Sequence, residues 1–282
     1  MRDSIPTLGQ HRRAGRECVG IRDGIALQAV PAQLPGVDTL MRPLQVALGW
    51  IVALGWALAA ATVPMPVRAQ EPWQADLDRF VATDRQQPPP DNAVLFVGSS
   101  SIRLWPELAR DFPQVPTINR GFGGSRLADA ARLADRIVAP YRPRQVVIYA
   151  GDNDLADGLT PAQVAADYAL LVRRLRELLP GTPIAYIAIK PSPARAHLID
   201  AAREANQRIR ALAAGGQAVD FIDVFTPMLD AAGQPRADLF GADGLHLNAA
   251  GYALWVERIA PFLRLDAKDR PRTVPASEAA AR

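Results

Sequence analysis

Apolar positions come in short unbroken runs along most of this chain. Runs at 94–97, 146–150, 183–189 and 219–224, with a shorter one near 116–119, lack the alternation of a half-exposed strand. Strands buried on both faces read this way. Between them, at about 73–85, 125–139, 161–179, 193–213 and 248–264, apolar residues recur with helical spacing. The TPAQ stretch at 160–163 places Thr160 as an N-cap, Pro161 at the first helical position and Gln163 as the returning half of a capping box. Ser192 and Pro193 offer a similar start, and Pro180 and Gly181 a stop. The QQPPPD stretch at 86–91 is a linker, because its prolines suit neither helix nor inner strand. Strands that alternate with helices predict a parallel sheet with helices on both faces.

A different pattern precedes these elements. Residues 44–63 form a 20-residue apolar run broken by Gln45, preceded by Met41, Arg42 and Pro43 and followed by Val67, Arg68 and Ala69. This reads as a signal peptide over 41–69, cleaved after Ala69, with export to the periplasm or medium. The run is also long enough to span a bilayer, so an uncleaved anchor, the one membrane partner considered, is the alternative. Residues 1–40 are an unusual preamble, and synthesis is expected to start at Met41. Residues 70–264 form the expected folded domain, and 265–282, polar with small residues and prolines, read as a disordered tail.

With 282 residues, 49% of them hydrophobic, the chain can bury the core of one large domain. Its net charge of +3 is not a basic patch. Seven arginines and four acids lie in 1–69, which leaves 25 residues of each sign beyond. A neutral domain carries no electrostatic footprint for nucleic acid. The single cysteine, Cys18, lies in the N-terminal stretch, so the folded domain has no disulfide, thiol nucleophile or cysteine metal site.

The chemistry collects after the strands, where a sheet of this kind binds its ligands. VGSSSIRLW at 97–105 puts three serines at the end of one strand. NRGFGGS at 119–125 and GDND at 151–154 follow two others, and DGLH at 243–246 precedes the last helix. A serine hydroxyl becomes a nucleophile when a base takes its proton. His246 can be that base, with Asp243 folding back to orient it. An ester's tetrahedral intermediate needs donors for its oxyanion, and the backbone N–H groups of Ser100 and Gly124 with the Asn153 amide can supply three. Any of Ser99, Ser100 and Ser101 is a candidate at this stage. Arg103, Arg120 and Arg126 lie beside these blocks, either as ion-pair partners or as contacts to a substrate's carboxylate or hydroxyls. Trp105 reads as a packing residue.

In order and spacing these blocks resemble those of the GDSL, or SGNH, hydrolase superfamily, over roughly residues 92–264. Gly98, Ser99 and Ser100 match its first block, Gly124 its second-block glycine, GDND its G-x-N-D and DGLH its D-x-x-H. The resemblance implies a three-layer α/β/α, flavodoxin-like domain with no cofactor. It also implies a serine esterase or acylhydrolase acting on a small-molecule or carbohydrate ester, closest in look to platelet-activating-factor acetylhydrolase-like and bacterial carbohydrate-ester hydrolases. The catalytic set carried over is Ser100, Asp243 and His246. The family's first block usually has Asp where Ser99 stands, and alignment on Gly98 selects Ser100 as nucleophile. Ser99 is then expected to bond the local backbone and Ser101 to begin and help cap the next helix. No long insertion separates the blocks, which favours short acyl groups, acetyl above all. An O-acetyltransferase on the same scaffold, or a non-catalytic carbohydrate- or envelope-binding module, is the alternative.

Other chemistries lack their residues. There is no G-x-S-x-G. A calcium loop starting at Asp152 has Asp157 where glycine is required and Gln163 where glutamate is required. Arg126 takes the last glycine place of a dinucleotide fingerprint. No histidine–carboxylate cluster suggests a metal.

Overall fold

A computed structural model describes residues 72–216 and 218–265, all within the second of the chain's two compact units, Ala69–Arg282. The 1–40 extension, the apolar run at 44–63 and the tail from 266 onward lie outside the described residues. Among the described residues no helix is long and apolar enough to cross a membrane.

The elements run in the order α1 (Gln74–Gln86), β1 (Val94–Gly98), α2 (Ser100–Arg103), α3 (Leu108–Asp111), β2 (Thr117–Gly121), α4 (Leu127–Ile137), β3 (Gln145–Tyr149), α5 (Asp152–Ala156), α6 (Pro161–Leu178), β4 (Ile184–Ile187), α7 (Ile199–Ala214), β5 (Val219–Ile222) and α8 (Ala249–Ile259). All five strands are parallel, in the order β2-β1-β3-β4-β5. This is the flavodoxin-like order, and its switch point, where ligands bind, lies between β1 and β3.

β1, β3 and β4 are buried throughout, as their unbroken apolar runs predict, whereas the edge strands β2 and β5 are partly exposed. On one side α4, α6 and α7 pack against one another, with Tyr168 of α6 edge-on to Tyr186 of β4 at 5.0 Å. On the other side Trp255 of α8 meets Tyr149 of β3 at 4.8 Å, and Trp105 stacks on Tyr252 at 4.9 Å. These two helical layers enclose the sheet in a three-layer α/β/α domain. Trp105 is the packing residue that its place after the serines predicts, with its indole N–H donated to Asp111 at 2.7 Å.

Helix boundaries shift where tertiary contacts intervene. Thr160 and Gln163 form the expected capping box at the start of α6. The segment expected as one helix over 193–213 opens instead as a 3-10 turn, Pro193–Leu198, with non-helical backbone at Arg195 (φ −121°, ψ 29°), and the Ala194 N–H binds the carbonyl of Gly244 at 3.0 Å. The expected helix over 248–264 ends at Ile259 and tightens into a 3-10 turn through Pro261. The helix expected to begin at Ser101 begins at Ser100, with Ser99 as its N-cap.

The tightest point of the fold is the end of β1. Gly98 has φ +141°, and a Cβ there would collide with the backbone carbonyl of Tyr149. Both strain and backbone overlap oppose any side chain at this position. We expect Gly98→Ala to cost about 4 kcal/mol or more, the range of severe core disruptions. Urea denaturation measures it, and a loss under about 1 kcal/mol would refute the close approach.

Candidate active site

Ser100 stands at the start of α2, directly beyond β1. Its Oγ lies 2.9 Å from Nε2 of His246, and Nδ1 of His246 lies 2.6 Å from Oδ2 of Asp243. A carboxylate only accepts, so the ring carries its proton on Nδ1 and turns its Nε2 lone pair to the serine. Asp243 is exposed, yet its carboxyl is held well below the ordinary carboxylate range. The causes are hydrogen bonds from the backbone N–H groups of His246 and Leu245, both at 2.9 Å to Oδ1, and then the His246 ring. Three residues of separation suffice for this loop to orient the imidazole.

The neighbouring serines depart from expectation. Ser99 and Ser101 are buried, and among the described residues neither hydroxyl has a partner. The turn is held by backbone instead. Ser99 N–H binds the Tyr149 carbonyl at 2.9 Å, and the Ser99 carbonyl accepts from Ile102 and Arg103. Neither hydroxyl is needed as a cap.

The oxyanion candidates converge at the switch point. The Ser100 and Gly124 N–H groups have no hydrogen-bond partner among the described residues. Gly124 is exposed, with φ +74°. Phe122 N–H binds the Gly98 carbonyl at 2.9 Å, which brings the glycine turn beside the serine turn. Asn153, at the start of α5, donates from Nδ2 to the Ser125 carbonyl at 3.0 Å, next to Gly124, and keeps a second amide hydrogen. Asn119, in the same block, ties that turn to the nucleophile's helix, donating to the Ile102 carbonyl at 2.7 Å and accepting from Gly121 N–H at 2.9 Å.

The three arginines separate. Arg120 is taken up within the fold. Its side chain is buried in an ion pair with Asp84 and lies over the rings of Phe80 and Tyr141. Side chains alternate along a strand, so with Asn119 turned to α2, Arg120 must point to the other face. Arg126 lies near Asp129 and Asp157 at 3.6 and 3.9 Å, as an ion-pair partner at the start of α4. Arg103 is exposed, with its guanidinium against Gly123 beside the site.

Sequence reasoning missed a buried cationic cluster behind Asn153. Lys190 Nζ and Arg195 Nη1 each lie 3.0 Å from Oδ2 of Asp152, and Arg195 Nη2 donates to Asn153 Oδ1 at 3.0 Å. Burial works to raise the Asp152 pKa, but the two cations outweigh it and the carboxyl stays ionised below its ordinary value. Arg195 gave little signal, since it lay within a segment read as ordinary helix. Lys190, one of only two lysines in the chain, was the available hint.

A cavity of about 270 Å³ is lined by Leu104, Trp105, Glu107, Leu247 and Tyr252, but by none of the triad or oxyanion groups themselves. Leu104 is one turn beyond Ser100, and Leu247 follows His246. A larger cavity, about 690 Å³, lies by Pro183 and Ala218, at the opposite, amino ends of the strands. It is remote from the triad and the oxyanion groups. No group of three or more metal-ligating side chains is placed for an ion among the described residues.

The model of the GDSL-like lipase/acylhydrolase family matches residues 97–254, more than half of the chain. The chain belongs to this family. GDSL-family folds recur among solved structures. A protein named for platelet activating factor from Streptococcus pneumonia is 19% identical, with a TM-score of 0.61 over 77% of this chain and 99% of its own. A GDSL-like lipase from Bacteroides thetaiotaomicron is 20% identical, with a TM-score of 0.56 over 67% and 97%. An acetyl-xylooligosaccharide esterase from Geobacillus Stearmophilus is 14% identical, with a TM-score of 0.52 over 64% and 98%. Among curated proteins none matches. The GDSL blocks named from sequence all fall inside the matched residues.

The last residue of the G-x-N-D block has a separate role. Asp154 is fully buried, accepts the Leu127 N–H at the start of α4 at 3.1 Å, and leaves Oδ2 without a partner. Burial pushes its pKa up to about 7, against the pull of that N–H. The folded state therefore binds this proton more tightly than the unfolded chain does. Its stabilisation is complete below about pH 4, the unfolded carboxyl range, and is lost as pH rises through about 7. Asp154→Asn keeps an acceptor for Leu127 and cannot ionise. We expect the Tm difference, variant minus wild type, to grow from pH 4 to pH 8. A difference that stays flat across that interval would place Asp154 among ordinary carboxylates.

Proposed function

We propose that the protein is a serine esterase that cleaves short acyl esters, acetyl above all, through an acyl-enzyme. The observation that carries the reading is the unbroken chain of contacts from Ser100 Oγ through His246 to Asp243. Ser100 Oγ attacks the acyl carbon while its proton passes to Nε2 of His246, and Asp243 stabilises the imidazolium. The oxyanion faces the N–H groups of Ser100 and Gly124 and the Asn153 amide. As the intermediate collapses, the alcohol departs with the proton from His246. Water repeats the cycle, releasing the acid and restoring Ser100. The small, partly aromatic cavity lined by Leu104 and Leu247, which follow Ser100 and His246 in the chain, is in keeping with a short acyl group or a small alcohol. The fold shared with an acetyl-xylooligosaccharide esterase is consistent with an acetylated sugar as substrate. Export directed by residues 41–69 would place the enzyme where such esters occur outside the cytoplasm.

A fluorophosphonate probe tests the nucleophile. Ser100→Ala is expected to abolish both labelling and turnover. Ser99→Ala and Ser101→Ala remove hydroxyls that have no partner among the described residues, so they keep the label and stay within about 1 kcal/mol of wild-type stability. A label that survives Ser100→Ala and maps to a neighbour refutes the assignment.

Asn153→Ala tests the oxyanion role. The amide meets full charge only in the transition state, so kcat falls on the order of a hundredfold or more while KM changes little. Nitrophenyl acetate kinetics measure both. An unchanged kcat with a raised KM would make Asn153 a ground-state contact instead.

A further inference from the structure

We infer that Trp73 is a positioning residue that latches the oxyanion peptide between Gly123 and Gly124; this rests on the hydrolase reading above. The indole Nε1–H of Trp73 donates to the carbonyl of Gly123 at 3.1 Å. That carbonyl belongs to the same planar peptide unit as the Gly124 N–H. In a trans peptide the two point in opposite directions. A bond that holds the oxygen therefore aims the N–H away from Trp73. It also polarises the unit, which strengthens the N–H as a donor.

The local chain cannot hold this peptide alone. It lies between two glycines, so no Cβ resists its rotation. Gly124 is exposed, and a Cβ added there would meet nothing within 4 Å. Preorganised donors stabilise an oxyanion because they need no reorientation during reaction, and a peptide free to turn forfeits that advantage. An outside contact is needed, and Trp73 supplies it.

Trp73 is itself firmly placed. Its ring meets Phe122 edge-on at 5.6 Å, and the Arg132 guanidinium lies over it at 5.8 Å. Its carbonyl accepts the Leu77 N–H at 3.0 Å, making Trp73 the N-cap of α1. That helix is anchored in turn by buried Leu77 and Phe80, and by Asp84, which binds Arg120 and accepts from Tyr141 at 2.6 Å. Across the turn, Gly123 has no side chain and the Arg103 guanidinium packs where one would stand. The latch and its helix lie before residue 97, outside the family match. A segment that precedes the matched residues thus acts on the chemistry of the site.

The test is Trp73→Phe, which keeps a ring against Phe122 and removes the N–H. A second variant carries benzothienylalanine at position 73, which preserves the bicyclic shape without the N–H. Both are assayed for nitrophenyl acetate kinetics, for inhibition by phenylboronic acid, whose tetrahedral adduct at the serine uses the same donors, and for Tm. The latch predicts a loss of about tenfold in kcat, smaller than the hundredfold or more of deleting a donor outright. It also predicts an unchanged KM, a parallel loss of boronate affinity and, for benzothienylalanine, an unchanged Tm. If the benzothienylalanine enzyme keeps wild-type kcat and boronate affinity, the latch is wrong and Trp73 only packs. If wild-type protein neither labels with fluorophosphonate nor cleaves any ester, the hydrolase reading fails and takes the latch with it.

Discussion

The contact on which the site depends is the one between the ends of β1 and β3. At Gly98 the two backbones approach too closely for any side chain, and Ser99 N–H closes the contact on the Tyr149 carbonyl. The parallel register puts Gly98 opposite Tyr149, so the chain leaves both strands at the same level. Ser100 then starts α2 and Asp152 starts α5, side by side at the switch point of the sheet. The Phe122 N–H on the Gly98 carbonyl adds the end of β2 to the same level. Three loops distant in sequence are brought together by hydrogen bonds at the carboxyl edge of three adjacent strands.

Two acids near this edge keep their charge by opposite means. Asp243 is exposed and is stabilised by backbone N–H groups of its own loop and by His246. Asp152 is buried and depends on Lys190 and Arg195. Buried ion pairs are weak evidence for stability, because desolvation offsets their attraction. Here the cluster has a geometric consequence: Arg195 reaches past Asp152 to hold the oxygen of Asn153, while the Ser125 carbonyl holds its nitrogen. The amide is fixed from both ends. The turn that carries Arg195 is bound through Ala194 to Gly244, within the loop of Asp243 and His246. The acid–base loop and the oxyanion amide are thereby supported by one short segment.

The glycine turn is the softest part of this arrangement and takes its order from outside. Asn119 secures it to α2, Asn153 secures Ser125, and Trp73 secures Gly123. Each of these bonds ends on a backbone carbonyl, so each restrains peptide planes, and the N–H groups of Ser100 and Gly124 stay without a partner among the described residues.

The unbroken apolar runs determined the strands, because residues buried on both faces need no partner to be recognised. Helical spacing with TPAQ at 160–163 determined α6, because a capping box is satisfied within four residues. The pairing of Asp243 with His246 was legible for the same reason: it forms inside one turn of chain. The family blocks then selected Ser100, Gly124 and Asn153. Tertiary structure alone decided the rest. Arg120 sits in a matched block, but strand alternation aims it at Asp84, and the face it takes depends on how β2 enters the sheet. The hydroxyls of Ser99 and Ser101 look like caps in sequence and are idle, because the Tyr149 carbonyl and the turn's own backbone already hold the loop. Arg195 and Trp73 reach Asn153 and Gly123 across 42 and 50 positions. Contacts of that span follow from packing, and no local pattern of residues encodes them.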